Sequence, residues 1–227
     1  MDLEYSIIRS SGRRKLTITV ERDRRILVHA PEGVSEERIR ELVDSKRQWL
    51  FEKTQHSQKY ETGPQPPGKE LVNGESVMYL GRNYRIAITD TASGDIELAR
   101  EFSVPPAIAA GGTKAFSDWL LVRAEQKILP RVKHYAGQLG VTYRDAEVSD
   151  GRFRWGSCTP GNGLRFNWRL IKAPMSVIDY VIVHELAHLI EPNHTPRFWN
   201  IVRAQHPATE DAKRWLRDHG ELLEQRL

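Results

Sequence analysis

Residues 177–190 read Val177-Ile178-Asp179-Tyr180-Val181-Ile182-Val183-His184-Glu185-Leu186-Ala187-His188-Leu189-Ile190, and this stretch decides how the rest of the chain is read. Its apolar residues fall on nearly every face of a 3.6-residue helix, which predicts a helix opened by Pro174 and buried all round. Into that apolar surface the sequence sets two histidines and a glutamate. His184 and His188 are four apart and leave the same side of the helix, one turn from each other, so both imidazoles can reach one Zn2+ ion at about 2.0–2.1 Å. Glu185 lies about 100° further round the axis, beside such an ion rather than on it, where its carboxylate can take a proton from a water activated there. Burying three such groups together is costly without something that binds them.

A catalytic ion of this kind keeps three protein ligands and one open position. His194 is the favoured third ligand, because Pro192-Asn193 ends the helix and allows the chain to return beside the pair. Glu191, His206, Glu210 and His219 are the alternatives, and Glu191, three residues past His188, would crowd the ion from the same helix. Thr195 followed by Pro196 is a cap and first-turn pair for a helix running to about Gln205, and a last helix is expected from about Thr209 to His219, ended by Gly220.

Upstream of 177 the periodicity is mixed. Leu16, Ile18 and Val20 alternate with polar residues, Glu21–Arg24 supplies a turn, and Ile26-Leu27-Val28 resumes, which predicts a hairpin. Ser35 caps an amphipathic helix over about 35–55, a Pro/Gly-rich connection follows over 55–69, and Val77–Ile88 reads as a second hairpin with another short strand in Ile96–Phe102. From Thr113 the spacing becomes helical, with a break or kink at Pro130 and an end at Gly140. Strands are then expected within 141–150, 153–158 and 164–170, the last two joined by Pro160-Gly161-Asn162-Gly163.

Composition narrows the class. The chain has 227 residues, a net charge of +4 and a single cysteine, Cys158, so disulfide scaffolds and cysteine-rich zinc modules are excluded and a metal site must use histidine and carboxylate. Acidic residues near Met1 and the lack of an apolar run of about 20 residues argue for a cytoplasmic chain with no membrane partner. Residues 151–203 hold 7 Lys/Arg against 3 Asp/Glu, an excess that would suit an acidic substrate group.

Arg154-Trp155-Gly156-Ser157-Cys158, then Gly163, Asn167-Trp168-Arg169-Leu170, Pro174, His184–His188, Glu191-Pro192-Asn193-His194 and Phe198-Trp199 together resemble the YgjP-like zinc metallopeptidases, a family related to the SprT and WLM groups of zincins. The match is dense over 150–202 and looser over 1–110, where it rests on the hairpin-and-helix pattern and Tyr79–Tyr84. The resemblance implies an α+β fold: a minimal zincin-like catalytic domain of helices plus a small antiparallel sheet over 111–227, preceded by a β-rich module with one helix over 1–110. It further implies Zn2+ held by His184, His188 and His194, Glu185 as general base, and a peptide or protein substrate. The strand at Arg154–Cys158 resembles a zincin edge strand that pairs with an extended peptide, so Arg154, Trp155, Gly156 and Ser157, with Arg169, are expected to bind substrate. Cys158 reads as a small buried residue, and Phe198 and Trp199 as core. The same resemblance leaves two other readings, a metal-dependent nucleoside triphosphate pyrophosphatase acting on UTP and a protease associated with nucleic acid.

Overall fold

The computed structural model describes residues 4–20, 25–54, 71–151 and 154–224. The expected turn at 21–24 and the connection over 55–69 lie outside them. The chain divides into two compact units, Met1–Pro64 and Gln65–Leu227.

In the first unit β1 (Tyr5–Ser10), β2 (Thr17–Val20) and β3 (Ile26–Pro31) form a sheet in the order β1-β3-β2. The expected hairpin is the antiparallel β2–β3 pair, and β1 adds a parallel strand along β3. Alternation along β3 buries Ile26, Val28 and Ala30, which share a core with Ile39 and Val43 of α1 (Glu36–Ser45). Ser35 caps α1 by accepting the Arg38 N–H at 3.3 Å. The helix expected over 35–55 is two helices, because Lys46 leaves the helical region at φ −109° and ψ 11° before α2 (Arg47–Thr54) begins. Leu50 of α2 joins the same core.

The second unit begins with a sheet of β4 (Ser76–Tyr79), β5 (Arg82–Ile88), β6 (Glu97–Leu98) and β7 (Phe102–Val104), in the order β4-β5-β7-β6. The β4–β5 hairpin turns on Leu80 and Gly81, both at positive φ (49° and 79°), as a two-residue turn of matching twist requires. That turn is fastened to the segment ahead of the histidine helix. The Leu80 and Gly81 N–H groups donate to the Ile171 and Lys172 carbonyls, each at 2.8 Å, and a Cβ on Gly81 would lie 2.6 Å from Pro174 Cγ. Val77, Tyr79, Ile86, Phe102 and Val104 share one core with the helices that follow. β4–β7 therefore belong to the same compact unit as the helices that follow them.

After α3 (Pro106–Ala109) comes α4 (Gly112–Leu139), one continuous helix in place of the expected break. Phe116, Leu120, Ala124, Ile128, Val132 and Ala136 are buried at every fourth position, and Pro130 sits on the exposed side, where its missing N–H leaves that stripe undisturbed. Gly140 closes the helix at φ 66°. β8 (Asp145–Ser149), β9 (Gly156–Cys158) and β10 (Gly163–Asn167) form a second sheet in the order β8-β10-β9. It is mixed, not purely antiparallel: the chain reverses twice between β8 and β10, which leaves those two parallel and the β9–β10 hairpin antiparallel. The strand expected through Leu170 stops at Asn167, and a 3-10 turn, Trp168–Lys172, leads to α5 (Met175–Ala187).

α6 (Pro196–Gln205) and α7 (Thr209–Glu224) complete the unit. α7 runs through Gly220, because Leu216 and Leu223 on either side continue its buried stripe. α5 is central, touching α4, α6, α7 and β9, and Arg131 of α4 holds its buried Asp179 through two hydrogen bonds. Among the described residues no helix is long and apolar enough to cross a membrane. The architecture is α+β.

Candidate metal centre

α5 ends as regular helix at Ala187, with His188 as its cap at φ −65° and ψ −19°. The chain then leaves the axis through Pro192-Asn193, and a tight turn in which the Thr195 N–H donates to Asn193 O at 2.8 Å presents His194. Thr195 immediately caps α6 by accepting the Phe198 N–H at 3.3 Å. These local choices bring His184, His188 and His194 together. One ring nitrogen from each lies within 4.8 Å of the other two, and among the described residues this is the group of three such side chains that could hold a metal ion.

Two features fit that group to a metal. The Nε2 atoms of His184 and His194 are 3.0 Å apart, close to the roughly 3.3 Å that separates two nitrogens bound at about 2.0–2.1 Å to one tetrahedral ion. The His188 ring lies toward the backbone carbonyls of Glu191 and Pro192, which favour a proton on the nitrogen facing them, the sense in which outer partners orient metal-bound histidines. The alternative third ligands stand outside this group of three. Glu210 is paired with Arg203 and Lys213, His219 stacks on Trp215 at 4.6 Å, and His206 is buried 6.1 Å from the Tyr180 ring. Glu191 is half-buried and supplies its carbonyl to His188.

Glu185 turns toward β9 and is buried. Burial pushes its carboxyl up from 4.5 to about 8, opposed by the charge of Arg154 and by the Cys158 backbone N–H that it accepts. The bare site thus favours the protonated acid, and a bound cation favours the carboxylate needed for proton abstraction. A folded-state value above the unfolded one means stability that is fully present below pH 4.5 and lost as the pH rises through about 8. The full shift corresponds to a loss of about 5 kcal/mol. In chelator, the urea midpoint of wild type should therefore fall relative to that of Glu185→Gln between pH 5 and pH 9. Parallel curves for the two proteins would show that Glu185 ionises without penalty.

The expected substrate-binding residues fare differently. Gly156 lies directly on Glu185, where a Cβ would stand 2.6 Å from Cγ and 2.8 Å from Oε1. Arg154 is exposed, and its charge is felt at both Glu185 and His188. Ser157 is half-buried in β9 opposite Arg165. Trp155 is a core residue whose carbonyl accepts the Asn167 N–H at 2.9 Å. Arg169 is engaged by Asp150 and Glu224 and lies 4.7 Å from the Trp168 ring centre. Arg165 is likewise engaged, by Asp145 and Glu147, so part of the positive charge of 151–203 is paired within the fold. Cys158 contributes its backbone N–H to Glu185, while its thiol, raised by burial and by Glu185, donates to Thr159 O at 3.7 Å.

Two residues read as core belong to the site's wall as well. Phe198 is fully buried and touches all three histidines, with ring centres 4.9, 4.6 and 4.7 Å from His184, His188 and His194. Trp199 stacks on His194. For Trp199 the available signal was the helix start: with Thr195 as cap, His194 is the residue before the cap and Trp199 the fourth of the helix, two positions that pack together at such a start.

A family model described as YgjP-like, metallopeptidase domain, matches residues 14–219. The crystal structure of the metallopeptidase zymogen of Pyrococcus abyssi abylysin is similar over 44% of this chain and 96% of that chain, at 17% identity and a TM-score of 0.37. No curated protein matches the chain.

Proposed function

The chain belongs to the YgjP-like metallopeptidase family, and from that premise we propose that it hydrolyses peptide bonds with a zinc ion held by His184, His188 and His194. The observation that carries this reading is the convergence of three imidazole nitrogens within 4.8 Å, with the buried carboxyl of the residue next to His184 alongside. Three neutral imidazoles and an open position are the donor set of a catalytic zinc site. The ion supplies charge that lowers the pKa of water and polarises the scissile carbonyl.

The rest is done by the chain itself. Glu185 removes the proton from the attacking water, holds it in a pocket where the protonated form is favoured, and returns it to the leaving amine. The Cys158 N–H keeps the carboxyl aimed during both transfers. β9 ends its sheet, so one side of it carries no neighbouring strand, and an extended peptide laid there passes over Glu185 at Gly156. Arg154, two residues ahead of that strand, offers a cation to the carbonyl oxygen or to an acidic side chain of the substrate.

The test is to load purified protein with one equivalent of zinc and assay a mixed peptide library and casein, with release of pyrophosphate from UTP measured beside them. Peptide cleavage that disappears in chelator and returns with zinc is expected. Pyrophosphate release without peptide cleavage would overturn the reading in favour of a phosphoanhydride substrate.

A further inference from the structure

The three histidines are held by different means. His184 and His188 project from a helix packed on several sides, and His188 is further fixed by two backbone carbonyls. His194 is exposed and stands on an irregular segment between α5 and α6. Backbone regularity therefore does little to fix its ring, and a metal ion would have to order it on binding unless something else did so first.

Phe198 meets that ring edge-on at 4.7 Å, and the aromatic face that lies flat along it is Trp199. The indole and the imidazole lie 5.6 Å apart with 23° between their planes, a stacked pair. Trp199 also meets His184 edge-on at 5.8 Å, so one indole borders two of the three rings. Its own placement is determined twice. Trp199 N–H donates to Thr195 O at 3.1 Å in the first turn of α6, which ties it to the residue after His194. From α7, the Lys213 ammonium lies 4.6 Å from the indole centre and is itself held by Glu210 at 3.0 Å.

We infer that Trp199 is a positioning residue for the metal: by stacking on His194 and being held from α7 through Lys213, it sets the third imidazole in ligating position before the ion arrives. This rests on His194 being a ligand, as proposed above. The indole donates nothing to the ion and contributes by removing rotational freedom from a loop histidine. Hydrogen-bonded outer partners change metal affinity by about 10- to 100-fold, and a stacked ring, which orients the ligand without a hydrogen bond, is placed at the lower end of that range.

Zinc affinity is measured by competition with a chromophoric chelator for wild type, Trp199→Leu, Trp199→Phe and His194→Ala, together with the visible spectrum of each protein loaded with Co2+ and the melting temperature of each without metal. Trp199→Leu is expected to bind zinc about 10-fold more weakly and to broaden the Co2+ bands. Trp199→Phe, which keeps an aromatic face, should stay within about 3-fold of wild type with an unchanged spectrum. Wild-type affinity in Trp199→Leu would overturn the inference. So would equal weakening in both variants that follows their loss of melting temperature, since that pattern belongs to a purely structural tryptophan. Wild-type affinity in His194→Ala would instead overturn the ligand assignment itself, so the two failures are distinguishable.

Discussion

Zinc-loaded Glu185→Gln is expected to lose about 10³-fold in kcat while binding the metal as tightly as wild type. Glutamine has nearly the same shape, so the contact with Gly156 and the hydrogen bond from the Cys158 N–H survive. What goes is the capacity to accept a proton. Among the described residues Glu210 is paired with Arg203 and Lys213. The three imidazoles remain untouched, so metal content should stay at one equivalent and the loss should fall on turnover. Intact turnover with zinc bound would sink the assignment of Glu185 as the base.

The histidine helix was legible because its signal is local. A spacing of four places two side chains on one face whatever the tertiary structure, and Pro174, Thr195 and Pro196 are punctuation that depends only on backbone chemistry. The meeting of His194 with the pair was legible as a preference among alternatives, since Pro192-Asn193 forces a departure from the helix but leaves its direction open. The continuous α4 was less legible: Pro130 is a strong breaker taken alone, and only the buried stripe at every fourth position from Phe116 to Ala136 overrules it. The packing of the β4–β5 turn on the segment ahead of α5 and the arginine pairing were not legible, because both depend on contacts distant in sequence. The Leu80-Gly81 turn bonds to Ile171 and Lys172, and Arg165 and Arg169 meet carboxylates on β8, at Asp150 and on α7. A charge count over 151–203 sees the arginines and not the partners that the fold delivers to them. In the same way the sequence shows Phe198 and Trp199 as apolar residues at helical spacing. Only the folded chain shows that the surface they cover is the histidine cluster.

Gly156→Ala should cost about 100-fold in kcat/KM with zinc affinity unchanged, although it adds one methyl group outside the set of ligands. The backbone at Gly156 is not in the left-handed region, so alanine is conformationally acceptable there and the effect is one of space alone. The added Cβ would meet Glu185 Cγ at 2.6 Å, Oε1 at 2.8 Å and Cδ at 3.0 Å, so it presses on the middle of the side chain as well as on the carboxyl itself. Either β9 lifts from α5 or the carboxyl swings away. β9 is held by its pairing with β10 at Gly156–Phe166 and Cys158–Leu164, so the carboxyl is the part that yields. A displacement of about 1 Å at the proton-accepting group is enough for a loss of this size. Combining Gly156→Ala with Glu185→Gln separates this from general damage. If the glycine acts through Glu185, the double variant should be no slower than Glu185→Gln alone, a departure from additivity expected when two changes disable one unit. Gly33→Ala, with nothing within 4 Å of the added Cβ, serves as the control and should leave turnover at the wild-type level. Additive losses in the double variant would mean that Gly156 serves the sheet or the substrate directly, and the account of β9 as the wall that aims Glu185 would have to be abandoned.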